Sequence, residues 1–188
     1  MGARQQLLLV WSVIGATVLT LSGCANAQQD VASHHFEVPK ANLIAESDYP
    51  FFLPKSGDDG FIFILNPTAE LRRQSSVLVQ SRDKACARAN GRGYVSQTIC
   101  GSRDVEWRGQ HWLKTGDDTF WTYSPSKSSG PAPFVSCFKM EVDGHSGLCY
   151  GTFAFGDLVL TISLNDDELP SLEGIYDRAT KMLQSWEV

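Results

Sequence analysis

The sequence predicts an α+β domain, a largely antiparallel sheet packed by a C-terminal amphipathic helix. Three observations lead to it. Asp157 to Leu164 alternates, with Leu158, Leu160, Ile162 and Leu164 on one side and Thr161 and Ser163 on the other, the period-two pattern of a half-buried strand. Leu169, Leu172, Ile175, Ala179, Met182 and Trp186 recur at spacings of three and four, the stripe of a helix with one buried face. Short apolar runs broken by Gly- and Asp-rich turns fill the middle of the chain, which suits hairpins.

Taken in order, Phe61-Ile-Phe-Ile-Leu65 is a short apolar run for a buried strand, and Val77-Leu78-Val79 is a second, weaker one. Ser81 to Asn90, with Ala85, Ala87 and Ala89 followed by Gly91, predicts a short helix closed by a glycine cap. Tyr94 to Cys100 returns to strand character. His111 to Thr115 and Thr119 to Tyr123 flank Gly116-Asp117-Asp118 and predict a hairpin. Ser124 to Pro133 is a loop rich in Ser, Pro and Gly. Phe134 to Glu141 and Gly147 to Phe155 form the next strand pair, around Val142-Asp143-Gly144. After Leu164, Asn165-Asp166-Asp167-Glu168 places capping and acidic residues where a helix N-terminus favours them.

The first 23 residues read differently from the rest. Arg4 is their only charge, and the apolar run from Leu7 to Leu19 ends in Leu21-Ser22-Gly23-Cys24. A basic start, a short apolar middle and a small-residue exit make a signal peptide, too short for a membrane-spanning helix of about 20 apolar residues. Leu21-Ser-Gly-Cys24 resembles the lipobox of bacterial lipoproteins. That resemblance implies cleavage before Cys24, acylation of its thiol and, commonly, of the new amino group. The alternative is an ordinary secreted protein in which Cys24 is structural. Ala25, rather than Asp, follows the cysteine, which in enteric-type bacteria implies passage to the outer membrane. Two or three acyl chains make a lasting anchor.

The expected organisation is therefore a cleaved signal peptide at 1–23, a lipidated cysteine with a flexible tether at 24–47, and one α+β domain at 48–188. Removing the leader leaves 165 of the 188 residues, with 15 basic against 21 acidic side chains and a net charge of −6. That length suits one sizeable core. The acidic balance argues against nucleic acid, which calls for a basic face. In the tether, Gln28-Gln29-Asp30 and His34-His35 are polar. The histidine pair could bind a metal, but neighbouring histidines without partners are expected to be solvated.

Once Cys24 carries lipid, Cys86, Cys100, Cys137 and Cys149 remain, an even set that reads as two disulfides in an oxidising compartment. A zinc site is the alternative, but no Cys-x-x-Cys pair exists and the four histidines are scattered. A three-residue hairpin loop ending at Gly144 pairs Glu141 with His145 and, counting outward, Cys137 with Cys149, within disulfide reach. By elimination Cys86 pairs with Cys100.

No catalytic signature emerges, and no enzyme is predicted. Gly144-His145-Ser146-Gly147-Leu148 fails the last position of a serine-hydrolase elbow. His111, beside Trp107 and Trp112, has no locatable nucleophile or orienting carboxylate. No phosphate loop, metal spacing or cofactor motif is present, so no cofactor is expected. The lipobox leader together with the ending Leu158-Val-Leu-Thr-Ile-Ser-Leu164, Asp167-Glu-Leu-Pro and Met182-Leu-Gln-Ser-Trp186 resembles small periplasmic immunity lipoproteins that protect bacteria from toxins of secretion systems such as type VI. The resemblance implies a membrane-held binding module whose partner is a secreted toxin. Acidic loops at Asp58-Asp59, Asp117-Asp118 and Asp166-Asp167 would meet a basic cleft on that partner. The rival reading is a housekeeping envelope lipoprotein, an accessory or assembly factor with no toxin partner.

Overall fold

The computed structural model describes residues 26–44, 60–70, 73–89, 99–100, 107–127, 135–140 and 147–188. Among them, β1 (Asn26–Val31) and β2 (His34–Pro39) form a separate hairpin. Seven further strands make one sheet: β3 (Gly60–Ile64), β4 (Ser76–Ser81), β5 (Trp112–Gly116), β6 (Phe120–Pro125), β7 (Val135–Phe138), β8 (Leu148–Phe155) and β9 (Leu158–Asn165). Its order is β3-β4-β9-β8-β7-β6-β5, and every pair is antiparallel. After β4 comes helix α1 (Arg82–Ala89); the chain then reaches the far edge at β5 and walks back strand by strand until β9 closes against β4. A 3-10 turn, Asp166–Ser171, leads into helix α2 (Leu172–Trp186).

The alternation read at Asp157–Leu164 is the centre of this arrangement. Leu158, Leu160, Ile162 and Leu164 are all buried and share the face covered by α2, whose Leu172, Ile175, Tyr176, Ala179 and Leu183 are buried in turn. Met182 and Trp186 of the expected stripe are only partly buried, at its margin. Val159 is also buried, on the other face, because β9 has strands on both sides and α1 beside it. The acidic start of the final segment caps as expected: the Asn165 N–H donates to the Glu168 carboxylate at 2.8 Å. Pro170 keeps this first stretch in the 3-10 form.

Residues 24–47 were expected to be a flexible tether, and the domain to begin at 48. The structure corrects both: 26–44 are folded into the domain. Val31, Phe36 and Val38 are buried, and the Phe36 ring meets Phe61 with centroids 5.6 Å apart. Phe36 bridges Glu187 across the end of α2, and Leu43 bridges Phe63 at the β3 edge. The reason is local. Val31, Phe36 and Val38 are the buried side chains of the two strands, set among Gln28, Asp30, His34, His35 and Glu37, and their burial comes from β3, β4 and α2, far away in sequence.

Both disulfides are present, Cys86–Cys100 and Cys137–Cys149, and Cys137 faces Cys149 in the register counted from the hairpin. The loop Val142–Gly144 that suggested this register lies outside the described residues, as do the leader, Cys24, Asp58-Asp59, the Gly91 cap and most of the strand expected at 94–100. The Cys137–Cys149 link closes a sequence separation of 12. Replacing both cysteines by alanine should lower the unfolding free energy by about 3 kcal/mol through loss of that constraint on the unfolded chain, measurable by urea denaturation.

Candidate functional site

Among the described residues, helices α1 and α2 lie toward the β4, β9 and β8 part of the sheet, and large apolar side chains of β5 to β7 are exposed. In antiparallel strands, facing residues share a side, so register assigns each side chain of β5, β6 and β7 to a face. On the α2 side, Lys114 faces Tyr123, while Trp121 faces both Gly116 and Cys137, which faces Cys149. On the opposite side lie Leu113 and Thr115 of β5 with Phe120 and Thr122 of β6, and Phe120 faces Phe138, which faces Leu148.

The α2-side group is polar but internally satisfied. Asp166, at the start of the 3-10 turn, accepts from Trp121 Nε1 at 3.2 Å and from the Tyr123 hydroxyl at 2.7 Å. Its own N–H donates to the Gly147 carbonyl at 3.1 Å. Burial, and then the hydrogen bond to Asp166, push the Tyr123 phenol up to about 12, so it donates as a neutral hydroxyl. The Lys114 ammonium lies 4.5 Å from the Trp121 ring centroid, a cation–π contact at the edge strand. Cys137, Cys149 and Asp166 bring donor atoms within 4.8 Å of one another. The sulfurs are bonded to each other, however, and a disulfide offers no thiolate to a metal.

The opposite side is different in kind. Leu113 is 55% exposed, Phe120 52% and Phe138 37%, and Met140 just beyond β7 is 39% exposed. The half-buried Tyr150 ring stacks on Phe138 with centroids 6.0 Å apart. Helix α1 contacts β4 and β9, at the other end of the sheet. The β5 edge is open as well. The Ser126 N–H donates to His111 O and the Asp117 N–H to Phe120 O, so alternation turns residues 113 and 115 toward β6. Trp112, Lys114 and Gly116 then present their backbone groups outward, and among the described residues no strand pairs with them.

The four carboxylates singled out in the sequence separate into two kinds. The Asp117 carboxylate holds its own turn, accepting N–H groups of Thr119 at 2.7 Å and Phe120 at 2.8 Å. The Phe120 bond, then the Thr119 bond, draw it below the usual carboxylate range. Asp166 is turned inward to Trp121 and Tyr123. Asp118 and Asp167 stay exposed, and Asp118 lies two residues from Phe120, at the rim of the apolar face. His111 is exposed, whereas Trp107 is core, packed on Phe153 at 4.8 Å and Tyr176 at 5.4 Å. The exposed trio was missed because, in sequence, Phe120 beside Trp121 and Phe138 beside Cys137 read like any alternating strand.

Two outcomes follow for the α2-side group. A β-carbon at Gly147 would come within 2.5 Å of the Trp121 ring, so Gly147→Ala should destabilise by about 1–3 kcal/mol and alter tryptophan fluorescence. For Tyr123, a raised folded value means a contribution present below the ordinary tyrosine value of 10.0 and lost as pH climbs through about 12. Stability measured by denaturant across that window should fall, and Tyr123→Phe should reduce the fall.

No protein-family model matches the chain, and no curated protein matches it. Among solved structures it is similar to an immunity protein of the Stenotrophomonas maltophilia type IV secretion system, at 9% identity over 88% of this chain and 94% of that one, with a TM-score of 0.49.

Proposed function

We propose that this chain is a lipid-anchored binding module of a bacterial envelope that neutralises a secreted protein toxin, gripping it with the β5–β6–β7 end of the sheet. The observation that carries the binding role is the uncovered apolar face of Leu113, Phe120 and Phe138. The facing pair Phe120 and Phe138, with Leu113 further along the same face beyond Thr115 and Thr122, holds apolar surface in water that gains on being covered, at about 25 cal/mol per Å². The open β5 edge beside them adds main-chain donors and acceptors that a partner's extended segment can satisfy. Asp118 at the rim supplies a negative charge suited to a basic cleft.

The toxin partner and the envelope location rest on the sequence: the Leu21–Cys24 lipobox for the anchor, and the leader with its strand–acidic turn–helix ending for immunity. No helix among the described residues is long and apolar enough to cross a membrane; the attachment proposed is by lipid at Cys24, facing the periplasm from the outer membrane.

Affinity capture of the protein from envelope and secreted fractions, with mass spectrometry, tests this reading. Stoichiometric recovery of one secreted protein whose toxicity the chain suppresses is the expected result. Phe120→Ser with Phe138→Ser should then weaken that complex about 10- to 100-fold while leaving the melting temperature nearly unchanged, since both rings are exposed. Recovery of envelope-assembly components would favour the housekeeping alternative, and undiminished affinity of the double variant would move the interface elsewhere.

A further inference from the structure

A second cluster, far from the open sheet end, joins three segments that are remote in sequence. His34, at the start of β2, places Nε2 2.6 Å from Asp157 Oδ1 in the β8–β9 turn and Nδ1 2.6 Å from Glu187 Oε1 just after α2. Ionised carboxylates only accept, so a ring bonded on both sides must carry a proton on each nitrogen. A neutral imidazole has one. The ring is 24% exposed and stacks on the buried Phe36, with centroids 5.9 Å apart and planes 16° from parallel, so it is held in place from below.

We propose that His34 is a proton-dependent clamp that fastens the turn end of the N-terminal hairpin to the β8–β9 turn and to the residues following α2. The surrounding contacts meet at the same corner. Phe36 bridges Glu187, and the Val188 N–H donates to His35 O at 3.0 Å. From α1, the Arg82 N–H donates to Asp157 O at 2.8 Å and its guanidinium to Gly156 O at 3.2 Å, fixing the turn through its carbonyls while the Asp157 carboxylate engages His34. His35 is bound separately, to Asp30 at 2.8 Å on β1. Among the described residues, the ionisable partners of the ring are thus Asp157 and Glu187, with Arg82 behind the turn.

The direction of the pH dependence follows. The hydrogen bonds that His34 donates to Asp157 and then to Glu187 raise it above the ordinary 6.5, and accepting the bond from His34 lowers Asp157 below 3.8. A raised histidine contributes below its unfolded value, and that contribution is lost as pH rises through the folded one. A lowered carboxylate contributes above its unfolded value, and that contribution is lost as pH falls through the folded one. The clamp is therefore shut between the lowered Asp157 and the raised His34. It opens on the alkaline side, where one carboxylate is left facing a lone pair.

Long-range proton–nitrogen NMR of His34, with amide-exchange protection factors for Phe36 and Val188, tests the clamp on the intact protein over a pH series. His34 is expected to stay doubly protonated above pH 6.5, and protection at Phe36 and Val188 to fall about threefold or more as it loses a proton. Both His34→Gln and Asp157→Asn should abolish that step. Asp157→Asn alters only a turn side chain and so tests the clamp even where the histidine variant folds poorly. A His34 that deprotonates at or below 6.5, or protection that ignores its titration, would overturn the proposal.

Discussion

Burial of one face of β9 is the constraint on which the rest of the fold depends. Leu158, Leu160, Ile162 and Leu164 must all enter the core together, and a slip of one residue would send them all to the other side. β9 also joins the early strands to the late ones, since it pairs with β4 on one side and β8 on the other. Once its register is set, so are the position of Asn165 and the 3-10 turn, and hence the place where α2 starts across the sheet. The Cys137–Cys149 link then holds β7 to β8 at the same end where Asp166 receives Trp121 and Tyr123.

Much of this was legible in the sequence because it depends on local periodicity. β9, α2, the β5–β6 hairpin and the cysteine register each declare themselves within about a dozen residues, by period, spacing or turn chemistry. The β1–β2 hairpin did not. Phe36 and Val38 make too short an alternation to stand out beside His34, His35 and Glu37, and their burial is supplied by β3 and α2. His34 itself looked solvated for the same reason: its partners Asp157 and Glu187 lie 123 and 153 residues away.

The open sheet end was illegible on different grounds. Whether a strand's second face is covered depends on how far the covering element extends, a property of the assembled fold. Helix α1 has eight residues, about 12 Å of length, enough to span two or three strands of a seven-stranded sheet. It lies by β4 and β9, so the far strands keep Leu113, Phe120 and Phe138 in water. The acidic residues were conspicuous in the sequence, yet two of the four carboxylates serve the fold: Asp117 closes a turn and Asp166 anchors two aromatic side chains.

The folded β1–β2 hairpin has a geometric consequence for a chain attached to a bilayer at Cys24. Only Ala25 separates that cysteine from β1, so a lipid carried by Cys24 would be joined to the folded hairpin by about 7 Å of chain at most. The hairpin contacts β3 and β4, at one margin of the sheet, while β5 is the opposite margin, six strand spacings or about 29 Å away along the sheet. For a chain held at Cys24, the anchored start of β1 and the exposed side chains of β5 to β7 would therefore lie toward different margins of one sheet, leaving Leu113, Phe120 and Phe138 away from the point of attachment.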